Sequence, residues 1–288
     1  METTTGRIYL SNIWTTISTS TVIRELQESD IKGLNSLPPA DWKFDYEAFI
    51  KRLITDDFFH AFVIMQDEQI IGTGNVLVKG KVGWLSNIII SEAYRGKGLG
   101  YKMTKFLVDF VYGKGCETQL LIATALGASV YKKIGFKKTS EYLCFDSEVD
   151  MDLDDTSSIR ALKDADLEDV YKLDREANDE DRVHLIDKYS QNGYGYFNEA
   201  YELTGVYLPE FASGLVLSRD NQAGPELLKF KHAKKGRRTR LPADNKDGIN
   251  FLESLGLKKG ENFSRMALGK EIKWNPKLIY SYGGGYCG

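Results

Sequence analysis

The 288-residue sequence predicts an α/β fold laid down twice in tandem. Three observations carry that expectation. Apolar runs separated by turn residues fill 60–90. The segment Arg95-Gly-Lys-Gly-Leu-Gly100 then leads into an amphipathic stretch. Short matches from the first half recur in the same order in the second.

Residues 1–20 are rich in Ser and Thr and lack a basic start with a continuous apolar core, so they read as a flexible tail rather than a signal peptide. Thr21–Leu26 predicts a short strand. Ser29 and Asp30 predict a helix start, with Pro38 and Pro39 as its stop, and Asp45–Ile54 suits a second helix. His60–Met65, Ile70–Val78 and Val82–Ile90 are parted by Gln66–Gln69 and Lys79–Lys81, the pattern of an antiparallel meander. A helix over 101–112, a strand Thr118–Thr124, a short helix Ala128–Ile134 and a strand near Glu141–Phe145 complete the first unit. The acidic, apolar-poor stretch 146–157 reads as a boundary loop.

Beyond it, Ile159-Arg-Ala-Leu-Lys-Asp-Ala-Asp166 repeats Ile23-Arg-Glu-Leu-Gln-Glu-Ser-Asp30, with Ile, Arg, Leu and Asp in register. Phe251-Leu-Glu-Ser-Leu-Gly-Leu257 echoes Val130-Tyr-Lys-Lys-Ile-Gly-Phe136. Between them, Arg219-Asp-Asn-Gln-Ala-Gly224 stands where Arg95–Gly100 would fall. Asp220 and Gln222 replace Gly96 and Gly98, and Leu252 replaces Tyr131. The second copy is therefore expected to bind no anion and to do no chemistry.

A net charge of −3 argues against general nucleic-acid binding, although Lys229–Arg240 is locally basic. No run approaches the roughly 18–20 apolar residues of a membrane span. Cys116, Cys144 and Cys287, and His60, His184 and His232, are scattered without metal-site spacing. These features fit a cytoplasmic protein that holds no metal.

Glycines after a strand let backbone N–H groups turn inward, and a helix start adds unpaired donors and the positive end of its dipole. Arg95–Gly100 thus forms a cradle for phosphate or pyrophosphate. It is not a dinucleotide fingerprint, because Ser91–Tyr94 separate strand from glycines and Met103 occupies the third glycine's place. Gly98 after Lys97 also excludes a Walker loop. A glycine turn that merely caps the helix stays open at this point.

Paired with Ala123-Thr-Ala-Leu-Gly-Ala-Ser-Val-Tyr131-Lys-Lys-Ile-Gly135-Phe136, the cradle resembles the two hallmark segments of the GNAT superfamily of acyl-CoA N-acyltransferases. The first is similar to that family's R-x-x-G-x-G pyrophosphate loop, the second to its A-T-x-x-G-x-x-x-Y-x-x-x-G-F element. The remainder, with Arg265-Met-Ala-Leu-Gly269 and Ile279–Gly288, resembles a degenerate second GNAT-like domain. The resemblance implies tandem GNAT folds, each a mixed, mainly antiparallel sheet flanked by helices, with the fourth and fifth strands splayed around the pantetheine arm. It implies a tail 1–20, a catalytic domain 21–147, a linker 148–157 and a degenerate domain 158–288. Acetyl-CoA is the implied co-substrate, without a metal.

The resemblance also implies roles. Backbone groups of Ile88, Ile89 and Ile90 would pair with the pantetheine arm. Arg95, Gly96, Lys97, Gly98, Leu99 and Gly100 would hold the pyrophosphate. Thr124 would make one further cofactor contact, and Tyr131 would serve the leaving thiolate as an acid. Asp41, Asp45, Glu47 and Glu92 are weighed as general bases, and none is assigned. Asp181, Arg182 and the aromatics Tyr194, Tyr196, Phe197 and Tyr201 either face the acceptor cleft or pack. The expected function is acetyl transfer to a primary amine of a small molecule by direct attack. Peptide N-acetylation and non-catalytic acyl-CoA sensing are the alternatives. The acceptor, the acyl length and the oligomeric state stay open.

Overall fold

The structure, a computed structural model, describes residues 21–42, 44–146, 156–233 and 237–288. The expected tail 1–20 and residues 148–155 of the expected linker lie outside the described residues. Period-two apolar runs build the meander as read. β1 (Val22–Glu25), β2 (Phe59–Gln66), β3 (Gln69–Lys79) and β4 (Val82–Ile90) pair antiparallel in chain order.

Between β1 and β2 lies α1 (Tyr46–Leu53). Asp45 starts it by accepting the Ala48 N–H at 3.0 Å. Its buried Tyr46, Ile50 and Leu53 recur at helical spacing and cover one face of the sheet. The helix expected after Ser29-Asp30 is a correction. Two short 3₁₀ turns, Glu28–Asp30 and Leu34–Ser36, stand there, parted by Gly33 at φ +99°. Asp30 is engaged in a two-pronged pair with Arg24 at 2.6 and 2.9 Å and also accepts the Gln27 N–H at 2.8 Å.

After β4 come α2 (Leu99–Gly113), β5 (Thr118–Ala123), α3 (Ala125–Ile134) and β6 (Lys137–Asp146). Leu99, Met103, Leu107 and Val111 of α2 bury against the other face of the sheet. The approach is close because Gly74 and Gly83 lie beneath the helix. A Cβ on Gly83 would stand 2.3 Å from Val111, and one on Gly74 would stand 2.8 Å from Leu107. That contact sets the α2 N-terminus beside the end of β4.

The second half holds β7 (Ile159–Ala161), α4 (Leu167–Asn178), α5 (Val183–Tyr189) and β8 (Tyr194–Phe197). β9 (Leu203–Leu208), β10 (Leu215–Ser218) and α6 (Ala223–His232) follow, then β11 (Arg238–Pro242) and α7 (Lys246–Ser254). β12 (Lys258–Lys259), β13 (Phe263–Gly269) and β14 (Ile279–Ser281) end the series. The internal repeat is physical as well as textual. Arg160 grips Asp166 at 2.8 and 2.9 Å, and Asp166 accepts the Lys163 N–H at 2.7 Å, as Arg24, Asp30 and Gln27 do in the first half.

Among the described residues the strands form two sheets. One is nine-stranded, β1-β2-β3-β4-β5-β13-β6-β11 with β12 also on β6, and the other is five-stranded, β14-β10-β9-β8-β7. Both are mainly antiparallel, giving the mixed α/β architecture expected. β13 lies between β5 and β6 and pairs with both, so strands from beyond the expected linker complete the first sheet.

Candidate active site

β4 and β5 run parallel but pair only from Val82 with Thr118 to Trp84 with Leu120. Beyond Trp84 no register joins them, so Leu85–Ile90 and Leu121–Ala123 open into a cleft. Neighbouring strands normally sit about 4.8 Å apart, so a separation past hydrogen-bonding range leaves backbone donors and acceptors for another extended group. β4 also carries an irregularity at this point. Thr73 pairs with Ile89 and Asn75 with Ser86, so β4 has one residue more than β3 across the step, and Asn87 takes φ +47°. Such a bulge takes a residue out of the ladder and turns backbone groups aside. Ile88 follows it directly, with Ile89 buried toward α1 and Ile88 and Ile90 grouped with the α2 face.

The glycine run lies at the mouth of this cleft. Gly96 and Gly98 take φ +77° and +78°, and a Cβ on either would meet nothing within 4 Å. Side chains are absent there for backbone reasons and the space over them is open, as an anion cradle requires. Gly98 is the N-cap of α2, and Leu99 buries beneath the loop. Gly100 stands in the first turn, where a Cβ would approach Ile90 at 3.9 Å. The Arg95 Nε–H donates to the Ile90 carbonyl at 3.1 Å, which folds the guanidinium over the strand end. The Lys97 ammonium lies 5.1 Å from the Tyr94 ring centre.

Across the cleft, Thr124 follows β5 and caps α3, its hydroxyl oxygen accepting the Gly127 N–H at 3.2 Å. That bond leaves its own hydrogen to donate. Tyr131, on the next turns of α3, packs near Phe136 with ring centres 6.2 Å apart. Burial pushes its phenol up to about 12, so it stays protonated at any working pH. Its ring lies against Gly127, where a Cβ would come within 2.9 Å.

The acidic candidates are not gathered at the cleft. Asp45 caps α1, Glu47 accepts the Gly33 N–H at 2.9 Å, and Glu92 is exposed in the turn after β4. The Asp41 side chain lies outside what is described. Arg182 is 3% exposed and paired with Asp174 at 3.3 Å, while Asp181 is exposed. Tyr194, Tyr196 and Phe197 pack within the second half, and Tyr201 is 89% exposed. The basic stretch is the end of α6 at His232 and the start of β11 at Arg238, with 234–236 outside the described residues.

Sequence inspection missed a buried ionic group beneath the fork of the cleft. The Trp84 indole N–H donates to Glu180 Oε2 at 2.8 Å, close to Arg182 and Asp174. Arg265 stacks 4.2 Å from the Trp274 ring and 5.8 Å from that of Trp84. Burial, only partly offset by Arg182, pushes the Glu180 carboxyl up to about 7 from 4.5. Between those values the folded chain keeps a proton that the unfolded chain has lost, so this group erodes stability as pH rises through the window. The expected erosion is about 3 kcal/mol. Glu180→Gln should therefore gain on the wild type between pH 4.5 and 7 in urea melts; a constant difference across that range would show that the arginines fully compensate the carboxylate.

The second half's counterpart of the cradle is filled by its own chain. Asp220 Oδ1 accepts the N–H groups of Gln222 and Ala223 at 2.9 and 2.6 Å, at the start of α6. A Cβ on Gly224 would meet the Tyr280 ring at 2.2 Å. β14 pairs with β10, and the Tyr282 N–H donates to the Arg240 carbonyl of β11 at 2.8 Å. A strand thus fills the slot that stands open between β4 and β5.

A splayed mixed sheet with a glycine cradle at the cleft mouth defines a class, and comparison with known proteins agrees with it. Residues 23–136 match the model of the acetyltransferase (GNAT) family. The rice protein glucosamine 6-phosphate N-acetyltransferase 1 is 30% identical over 132 residues, covering 40% of this chain and 79% of that one. The uncharacterized N-acetyltransferase YobR of Bacillus subtilis is 33% identical over 84 residues. That match spans 28% of this chain and only 34% of YobR. Two solved structures share the fold over all or most of the chain. A Pyrococcus horikoshii protein assigned as an acetyltransferase superposes with a TM-score of 0.79 at 16% identity, covering 100% of both chains. A tandem GNAT protein from the clavulanic acid biosynthesis pathway superposes at 0.61 and 11% identity, over 87% of this chain and 98% of that one. The chain belongs to the GNAT family of acetyltransferases, and its architecture is of the tandem kind.

Proposed function

We propose that the protein transfers an acetyl group from acetyl-CoA to a primary amine of a small molecule, by direct attack within one ternary complex. The observation that carries this is the open cleft between β4 and β5, with its mouth set on Gly96 and Gly98. In this reading residues 21–147 are the catalytic unit and 158–288 a degenerate partner. Backbone groups of Ile88, Ile89 and Ile90 pair with the pantetheine arm, and N–H groups of Arg95–Gly100 hold the pyrophosphate, with Arg95 and Lys97 supplying charge. Thr124 donates its free hydroxyl hydrogen to the cofactor. The three free, buried cysteines support a reducing, cytoplasmic setting.

The chemistry asks little else of the chain. The amine must shed a proton, since an ammonium has no lone pair, and that proton leaves to solvent. Its nitrogen forms the new bond to the acyl carbon, and the adduct gives up the nitrogen's second proton to solvent as the carbon–sulfur bond breaks. The bulge at Asn87 turns a backbone donor of Ile88 toward the developing oxyanion. Tyr131 offers its hydrogen to the departing sulfur. Holding amine and thioester together supplies much of the rate.

A small acceptor is favoured because the second half stands over the face of the sheet opposite α2. Its Tyr286 ring lies 5.1 Å from Phe49 of α1. The rice relative is named for a phosphorylated amino sugar, a small amine, which supports the same class. Thiol release from acetyl-CoA should rise with one class among amines, amino acids, amino sugars and polyamines. A response confined to peptides would move the acceptor to proteins, and no response with any amine would favour an acyl-CoA sensor.

A further inference from the structure

Beside the bulge, on the face of the sheet turned away from α2, lies a polar pair that the chemistry above does not use. Asn75 and Ser86 face each other across β3 and β4, and they are 0% and 7% exposed. The Asn75 carboxamide oxygen accepts the Tyr46 hydroxyl at 3.1 Å. That hydroxyl also meets Thr73 Oγ1 at 2.8 Å, and Thr73 donates to the Phe62 carbonyl at 3.0 Å. The chain of bonds pins one end of the carboxamide and leaves the other end, Nδ2, without a partner. Turning the amide over would orphan its oxygen instead. Ser86 Oγ has no partner either.

Buried polar groups in strands are nearly always satisfied, and an apolar pair would suit this position better if packing were its only task. Here two orphans lie side by side. Ser86 immediately precedes Asn87, and with a rise of about 3.3 Å per residue it stands within roughly 7 Å of Ile88 along the strand. The orphans therefore border the place where acyl transfer would occur, on the face of the sheet that α1 and the second half cover.

We propose, on the basis of the acetyl-transfer reading, that Ser86 and Asn75 bind the acceptor and select its class. Ser86 Oγ accepts an N–H of the incoming amine and aims the nitrogen lone pair toward the cleft. Asn75 Nδ2 donates to an oxygen on the carbon next to the amine. The acceptor is then an amine with a neighbouring oxygen function, as in an amino sugar, an amino alcohol or an α-amino acid, rather than a plain alkylamine or polyamine. Tyr46 and Thr73 are positioning residues that fix the carboxamide.

The test uses the full chain and thiol release with a matched series: an alkylamine, the corresponding 2-amino alcohol, an amino sugar and an α-amino acid. The wild type should prefer an oxygen-bearing amine over the alkylamine at least tenfold in kcat/KM, and the best arm names the source of the oxygen. Ser86→Ala removes an orphan hydroxyl, so a purely structural role predicts unchanged activity and an unchanged or higher Tm. The assignment predicts that same Tm with kcat/KM for the acceptor at least tenfold lower and acetyl-CoA binding unaltered. Asn75→Asp keeps the bond from Tyr46 but exchanges the free donor for an acceptor, and should abolish the preference for the neighbouring oxygen. Full acceptor kcat/KM in Ser86→Ala, or an alkylamine preferred by the wild type, overturns the assignment while leaving acetyl transfer intact. Absence of turnover with every amine overturns both.

Discussion

Acetyl-CoA should bind at least a hundredfold more weakly to Gly96→Asp than to the wild type, with the fold preserved. The substitution copies into the first half what the second half already has, since Gly96 corresponds to Asp220 in the internal repeat. There the carboxylate satisfies the helix start by itself, accepting the Gln222 and Ala223 N–H groups. At Gly96 the backbone stands at φ +77° and a Cβ would meet nothing within 4 Å. The cost of the left-handed conformation is about 1 kcal/mol, and Asp tolerates it better than most residues. Its charge would compete with the pyrophosphate for the same donors. Two unit charges about 4 Å apart repel by about 4 kcal/mol at an effective dielectric of 20, and exposure reduces that. About 3 kcal/mol remains, which is a hundredfold. Titration calorimetry on Gly96→Asp and Gly96→Ala separates charge from strain. Equal affinities for Gly96→Asp and wild type would remove the cradle from the cofactor site.

Tyr131→Phe should lower kcat by about a hundredfold and leave acetyl-CoA affinity nearly unchanged. Positioned acids contribute roughly 10²–10⁴ in rate. Two considerations place Tyr131 at the low end. Its phenol is pushed up to about 12, whereas a thiol has a pKa of about 8.5. Complete proton transfer to the leaving thiolate would then run uphill by about 3.5 units, close to 5 kcal/mol. The phenol is better suited to donating a hydrogen bond to the departing sulfur. Kinetics with a fixed amine and varied acetyl-CoA decide the matter. A variant with the wild-type kcat would assign Tyr131 to packing beside Phe136.

The first half was largely legible because its signals are local. Val82–Ile90 was read at its observed limits, and Asp45 announced α1 through a cap that needs only the next three residues. Gly33 shows how one residue defeats a local reading: its φ of +99° interrupts the turn sequence before a helix can propagate. The exchange of β13 into the first sheet was not legible. Its apolar alternation is the same whichever sheet it joins, and its partners on β5 and β6 lie far away in the chain. Gly96 and Gly98 were visible because positive φ favours glycine. Asn75, Ser86 and Glu180 were not, since polar side chains look alike in sequence whether water or a closed sheet surrounds them. Their burial is created only by α1 and the second half arriving over the face of the sheet.

The place of β13 also bears on how the molecule can come into being. During synthesis the ribosome delivers β5 and β6 long before Phe263–Gly269, the strand that must lie between them. Until then the nascent first half lacks the strand that joins β5 to β6. Contacts of such long sequence separation are entropically costly to close and slow to form. The half that carries the family match therefore completes its sheet only after the second half has been made. A chain released early, before β13 emerges, would carry both hallmark segments and still lack a complete sheet on which to hold them.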